Sequence, residues 1–126
     1  MCVKGKGILA ADESTGTIAK RFKSINVENT EQNRLIFRQT LFSSNAMRNY
    51  IGGVILFDET IKQKTSDGQT IPELISENNA IPGIKVDKGA KVLAGTIEET
   101  ITEGLDGVRE RVTEYDNIGA RSKKWR

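Results

Sequence analysis

The sequence has no histidine, one cysteine, two prolines and few aromatic residues. Without histidine, a Ser-His-Asp triad and any imidazole-based metal site are excluded. A lone cysteine, Cys2, cannot close an internal disulfide or build a zinc site, and it suits a reducing compartment. No apolar run approaches the roughly 18 residues of a membrane span, and no hydrophobic h-region opens the chain, so neither a transmembrane helix nor a signal peptide is expected. A strong excess of one charge is also missing. Nineteen basic and seventeen acidic residues leave +2, which argues against a general nucleic-acid or membrane footprint. Repeats, low-complexity tracts and linkers are not evident. With 126 residues, 37% of them apolar and 29% charged, the chain reads as one soluble domain, lean in core formers.

What is present is an alternation of two patterns. Ile8 to Ala11 is a short apolar run of the kind that forms a buried strand. Asp12 and Glu13 end it, and Ser14 and Thr15 supply N-cap chemistry for a helix carrying Ile18, Phe22 and Ile25 at helical spacing. Asn29 with Gln32 resembles a capping box for a second helix, in which Phe37 and Leu41, and Leu35 and Phe42, share faces. Ile51 to Phe57 reads as a strand covered on both sides, Ser66-Asp67-Gly68 as a loop, and Pro72 to about Asn78 as a short helix. Pro82 and Gly83 introduce a third expected strand, Ile84 to Asp87. Leu105, Val108, Val112 and Tyr115 form a helical stripe closed by Gly119, and Ala120 to Arg126 would begin a fourth strand. Strand and helix in turn argue for parallel βα units. Asp12 then lies outside the carboxyl end of a strand, where such folds place their chemistry. Gly5-Lys6-Gly7-Ile8-Leu9-Ala10 fits a dinucleotide fingerprint by letter, but it precedes a strand instead of following one.

Seven segments in order resemble class I fructose-1,6-bisphosphate aldolase: LAADESTGTIAKR (Leu9 to Arg21), ENTEQNR (Glu28 to Arg34), IGGVILFDET (Ile51 to Thr60), PGIKVDKG (Pro82 to Gly89), LAGT (Leu93 to Thr96), GLDG (Gly104 to Gly107) and KWR (Lys124 to Arg126). The resemblance covers nearly the whole chain. It implies an α/β fold, a (β/α)8 TIM barrel, of which residues 1–126 would supply the first three to four βα units as the N-terminal part of a single domain. A closed barrel of this type takes about 250 residues, and Arg126 falls inside an expected strand, so the chain reads as part of a longer protein. An open flavodoxin-like domain is the structural alternative.

The resemblance also assigns roles. Asp12, which position alone would leave as a turn residue, matches an aspartate that assists proton transfer around the carbon–carbon bond that breaks. Lys85 and Asp87 alternate with Ile84 and Val86, so the charged pair shares a face. In a barrel that face meets the interior, and Lys85 resembles an active-site lysine that helps to bind phosphate, with Lys88 a further candidate. Lys124 resembles the lysine beside the reacting carbons that assists proton transfer and carbinolamine turnover, and Arg126 an arginine on a substrate phosphate. Ser122 departs from an aromatic that the family usually has. Thr17, Lys20 and Arg21 match a phosphate-contacting trio, and Arg34 an arginine linked to substrate binding. Read without the family, these cations form exposed helix faces and a basic tail in which Trp125 permits RNA stacking.

The implied reaction is the reversible cleavage of fructose 1,6-bisphosphate to dihydroxyacetone phosphate and glyceraldehyde 3-phosphate, in glycolysis and gluconeogenesis. It proceeds through a lysine Schiff base, without metal or cofactor. That lysine belongs to the family's sixth strand, which these residues do not include. A cytoplasmic homotetramer with a sugar-phosphate substrate, and no nucleic-acid or membrane partner, is the expected whole. Two other readings stand beside it: a noncatalytic phosphate- or polyanion-binding module, and a truncated product without function.

Overall fold

The computed structural model describes residues 3–126, so the single cysteine, Cys2, lies outside the described residues. Four strands form one parallel sheet in the order β1 (Gly7–Ala11), β2 (Ile51–Leu56), β3 (Ile81–Lys85) and β6 (Ser122–Lys124). Parallel neighbours need a crossover. Here it is made by α1 (Thr15–Ser24), α2 (Glu31–Phe42) and α3 (Asn45–Tyr50) between β1 and β2, by α4 (Asp58–Lys62) and α5 (Ile71–Glu77) between β2 and β3, and by α6 (Val108–Ile118) before β6. A small antiparallel hairpin, β4 (Ala90–Val92) with β5 (Thr100–Thr102), follows β3. Sheet order follows chain order, and β1 and β6 are the sheet's two edges.

Register explains both the core and the site. Ala11, Leu56 and Ile84 lie side by side and are buried. With Val54 they meet Phe42, Met47, Ile61, Ile71 and Ile75 from the helices, all essentially without solvent contact. The opposite face carries the row Ala10, Ile55, Gly83 and Ser122. Two residues further on, Lys85 and Lys124 are direct register partners, and Asp12 follows Ala11 at the same level. Period two thus sends the apolar set to the helices and the charged set to the other side, at the carboxyl ends of the strands.

Local chemistry sets most boundaries. Ser14 caps α1, its oxygen accepting from the Thr17 N–H at 3.3 Å. Ile18 and Phe22 are buried as the stripe predicts, but Ile25 is exposed, because the helix stops at Ser24 and Asn26 takes a left-handed φ of 53°. The cap of α2 is Thr30, accepting from Asn33 N–H at 3.1 Å, and not the expected Asn29. Asn29 instead donates to the Thr15 carbonyl and accepts from Arg34. Leu35 and Phe42 are buried, Leu41 is exposed, and Phe37 packs edge-on against Phe22. A capping box of Thr70 and Glu73, with Pro72 in the first turn, starts α5.

The third strand lies earlier than the sequence suggests, over Ile81–Lys85 and not Ile84 to Asp87, with Pro82 inside it. A residue's N–H and carbonyl point to the same neighbour, and Pro82 turns this side toward the residues preceding β6, where its carbonyl accepts from Arg121 N–H at 2.8 Å. β6 begins only opposite Gly83, so the missing N–H removes no ladder bond. Leu105 is exposed and outside α6, which begins at Val108 after a left-handed Gly107. The stripe Val108, Val112 and Tyr115 does face the core. α3, α4 and the β4–β5 hairpin had no counterpart in the sequence reading. Gly104 anchors the hairpin's return: at a φ of 124°, a Cβ there would stand 2.8 Å from the Lys88 nitrogen.

Candidate active site

Asp12 leaves the sheet at the end of β1 and accepts a hydrogen bond from Lys124 Nζ at 2.7 Å, across the face from β6. Asp12 has a side chain only 10% exposed, so the pair is shielded enough for its charge–charge attraction to matter. Lys85, the register partner of Lys124, is ion-paired to Asp87, whose side chain is fully buried. Asp87 also accepts from the N–H groups of Gly89 (2.8 Å) and Arg126 (2.9 Å). The Val86 N–H donates to the Lys124 carbonyl at 3.0 Å, which extends the β3–β6 pairing past the strand ends. Two lysine–carboxylate pairs therefore lie side by side where the strands end.

Burial pushes the Asp87 carboxyl up, but hydrogen bonds from Lys85 and from the Arg126 and Gly89 N–H groups outweigh it and hold the group below the usual aspartate range. A depressed folded-state value contributes stability that is present above the unfolded value near pH 3.9 and is lost as pH falls through the folded one. Asp87→Asn in the full-length protein is therefore expected to lower stability at neutral pH by about 1–3 kcal/mol, the scale of charged hydrogen bonds. It should also flatten the loss of stability below about pH 4. Urea unfolding between pH 3 and 7 measures both; an unchanged acid limb would contradict the assignment.

The pairs border a cleft of about 800 Å³, whose lining includes Asp12, Ser14, Thr17, Lys85 and Asp87 together with Phe57, Lys62, Arg111 and Tyr115. Thr17 shares a 3.1 Å hydroxyl contact with Ser14. Lys20 is exposed on the same helix, and Arg21 reaches back to pair with Glu13. Arg126 donates to Thr102 Oγ1 of the hairpin at 3.1 Å. Arg34 stands apart from the cleft lining, held bidentate by Glu59 at 2.8 and 2.6 Å, and its guanidinium is pushed further up by that hydrogen bond. Of the nine residues that the sequence offers for the site, Asp12, Thr17, Lys85 and Lys88 line the cleft, and Lys124 touches it through Asp12. Among the described residues, no group of three or more acidic or cysteine side chains is placed to hold a metal ion.

Several lining residues escaped the sequence reading. Arg111 donates to the carbonyls of Val86 (3.1 Å), Asp106 (2.8 Å) and Gly104, and so ties the β3 end to α6. Tyr115, expected only as a core residue, donates its hydroxyl to Asp58 Oδ1 at 2.8 Å, and burial with that bond pushes the phenol up to about 12. Lys62 is pushed up by ion pairing to Glu114 and Asp58, both at 2.9 Å. Their one available signal was spacing: Asp58 and Lys62 are four apart on a helix, as are Arg111 and Tyr115.

A parallel α/β sheet with lysine–carboxylate pairs at the carboxyl ends of its strands belongs to the class of folds that place their chemistry there. Comparison with known proteins makes this specific. The family model described as "Fructose-bisphosphate aldolase class-I" matches residues 1–126. A probable fructose-bisphosphate aldolase class 1 of Xanthomonas campestris pv. campestris is 55% identical over the whole chain, which covers 38% of that protein. The cytosolic fructose-bisphosphate aldolase 5 of Arabidopsis thaliana is 61% identical over 97% of the chain and 34% of its own length. Among solved structures, fructose-bisphosphate aldolase from Plasmodium falciparum, in complex with TRAP and a small-molecule inhibitor, superimposes with a TM-score of 0.92 at 52% identity. That match spans 97% of this chain and 35% of the neighbour. The chain belongs to the class I fructose-bisphosphate aldolase family. It spans a little over a third of the length of these relatives, and its four parallel strands are part of a TIM barrel, without closing one.

Proposed function

We propose that the whole protein is a fructose-bisphosphate aldolase of the Schiff-base type, a carbon–carbon lyase working in glycolysis and gluconeogenesis, and that residues 1–126 are the N-terminal part of its single barrel domain. The observation that carries the reading is the Asp12–Lys124 contact at 2.7 Å, beside the Lys85–Asp87 pair on one sheet face. Cleavage between C3 and C4 of the open-chain sugar requires a proton to leave the C4 hydroxyl as the bond breaks and electrons to be drawn into an iminium at C2. A carboxylate bonded to an ammonium is suited to moving protons: Asp12 accepts, and Lys124 supplies or returns a proton during carbinolamine formation and breakdown.

The remaining cations fit the two phosphates. Arg126 and Arg21 offer planar forks, Lys85 and Lys20 point charges, and Thr17 a hydroxyl at the start of a helix. Arg34 acts through Asn29 and Glu59 on the shape of this end, since its guanidinium is engaged there. The substrate is a small sugar phosphate, with no nucleic-acid partner. Among the described residues no helix is long and apolar enough to cross a membrane. The naming of the Arabidopsis relative as cytosolic supports a cytoplasmic setting. A homotetramer is the proposed assembly.

The test is a coupled cleavage assay of the full-length protein. Turnover of fructose 1,6-bisphosphate that survives a chelator, and irreversible inactivation by borohydride in the presence of dihydroxyacetone phosphate, are the expected results. Phosphate-dependent stabilisation without turnover would instead make the protein an anion-binding module.

A further inference from the structure

One buried charge lies outside the roles assigned so far. Arg38 has 0% exposure, on the core-facing stripe of α2 with Leu35 and Phe42, where an apolar residue would pack without a desolvation cost. Its guanidinium is spent at the end of the sheet. Nη2 donates to the Glu13 carbonyl at 2.6 Å and Nη1 to Thr60 Oγ1 at 2.6 Å. Glu59 stands 3.9 Å away, and the Phe57 ring lies 5.8 Å beneath. Burial pushes the guanidinium down, against Coulombic support from the carboxylates of Glu13, Glu59 and Asp12.

Its place in the chain gives this cluster a consequence. Strand pairing fixes the backbone as far as Ala11, opposite Leu56, and the next regular element starts at Thr15. Asp12 and Glu13 lie between, with no ladder of their own. The carbonyl of Glu13 is gripped by Arg38, and its side chain by Arg21. Asp12 is therefore anchored by β1 before it and by Arg38 after it. We infer that Arg38 is a positioning residue: it fixes the peptide after Asp12 so that the carboxylate faces Lys124. The inference rests on the proposed aldolase reading for its kinetic consequence, but not for its structural one.

The experiment is made on the full-length protein with Arg38→Ala and, as a volume-conserving variant less prone to unfold, Arg38→Met. Misplacing a reacting group by about 1 Å costs on the order of a hundredfold. We expect kcat to fall about 10- to 100-fold with KM for fructose 1,6-bisphosphate within a factor of about 3. Guanidinium ion added in millimolar amounts should restore part of the activity of Arg38→Ala, whose cavity can admit it, and none of that of Arg38→Met. A crystal structure of either variant should show the 2.7 Å Asp12–Lys124 contact broken. The inference is overturned if a folded variant keeps that contact, or if kcat falls only in step with the folded fraction and guanidinium restores nothing. If the unaltered protein itself fails to cleave the sugar, the aldolase reading falls, and the crystallographic contact alone decides the role of Arg38.

Discussion

Replacing Asp12 with Asn in the full-length protein is expected to cut turnover at least about a hundredfold, the scale of a positioned acid–base group. The substitution keeps the shape and removes the acceptor charge. Asn can still contact the Lys124 ammonium through its amide oxygen, so the fold should hold. The sheet stays paired because Asp12 lies beyond its last register pair, Ala11 with Leu56. The amide cannot take a proton from the sugar hydroxyl, so the loss belongs in kcat; KM should move far less, since the residues proposed to hold the phosphates are left unchanged. Steady-state kinetics with fructose 1,6-bisphosphate measure it. Turnover within a factor of a few of the unaltered protein would remove Asp12 from the mechanism.

A polypeptide of residues 1–126 alone is expected to show no cleavage, and no borohydride-trapped adduct at any one lysine. Its two site lysines are each engaged as hydrogen-bond donors, Lys85 to Asp87 and Lys124 to Asp12. An ammonium so held has no lone pair with which to attack a ketone. A nucleophilic amine also needs a closed, partly desolvated pocket. The sheet here is open: Ile8 on the β1 edge is 49% exposed, and Trp125 just beyond β6 is 41% exposed. Incubation with dihydroxyacetone phosphate, reduction and mass-spectrometric mapping check this. Stoichiometric, saturable labelling of Lys85 or Lys124 would mean that the four strands already form a working site.

Much of this arrangement is legible in the residues. The apolar runs at Ile8 and Ile51 both mark strands, and β2, inside the sheet, is largely buried as a continuous run implies. β1 is not the buried strand its run suggests, because it lies at the sheet edge and only Ala11 is buried. Ser14 and the Val108–Tyr115 stripe mark helices for equally local reasons. β3 was misplaced because Pro82 reads locally as a strand breaker, whereas its missing N–H falls where β6 has not begun. The hairpin was invisible because Ala90 to Val92 and Thr100 to Thr102 are each three residues long, too short for periodicity. In the site, alternation placed Lys85 and Asp87 together. The pairing of Asp12 with Lys124, 112 residues apart, needs the register of four strands, and from the sequence only the family resemblance brought both to one centre. Arg38 was hidden by the reverse effect: an arginine on a helix reads as solvated surface.

The claim that Asp12 and Lys124 act as one proton-transfer unit is tested most directly by a double-mutant cycle on kcat in the full-length protein. Groups that act together lose activity non-additively. Asp12→Asn, Lys124→Met and the double variant should therefore all be slow, with the double variant within about fivefold of the slower single variant. Losses that multiply, so that the double variant is slower by the product of the two single effects, would contradict the pairing and leave the 2.7 Å contact without a shared role in the reaction.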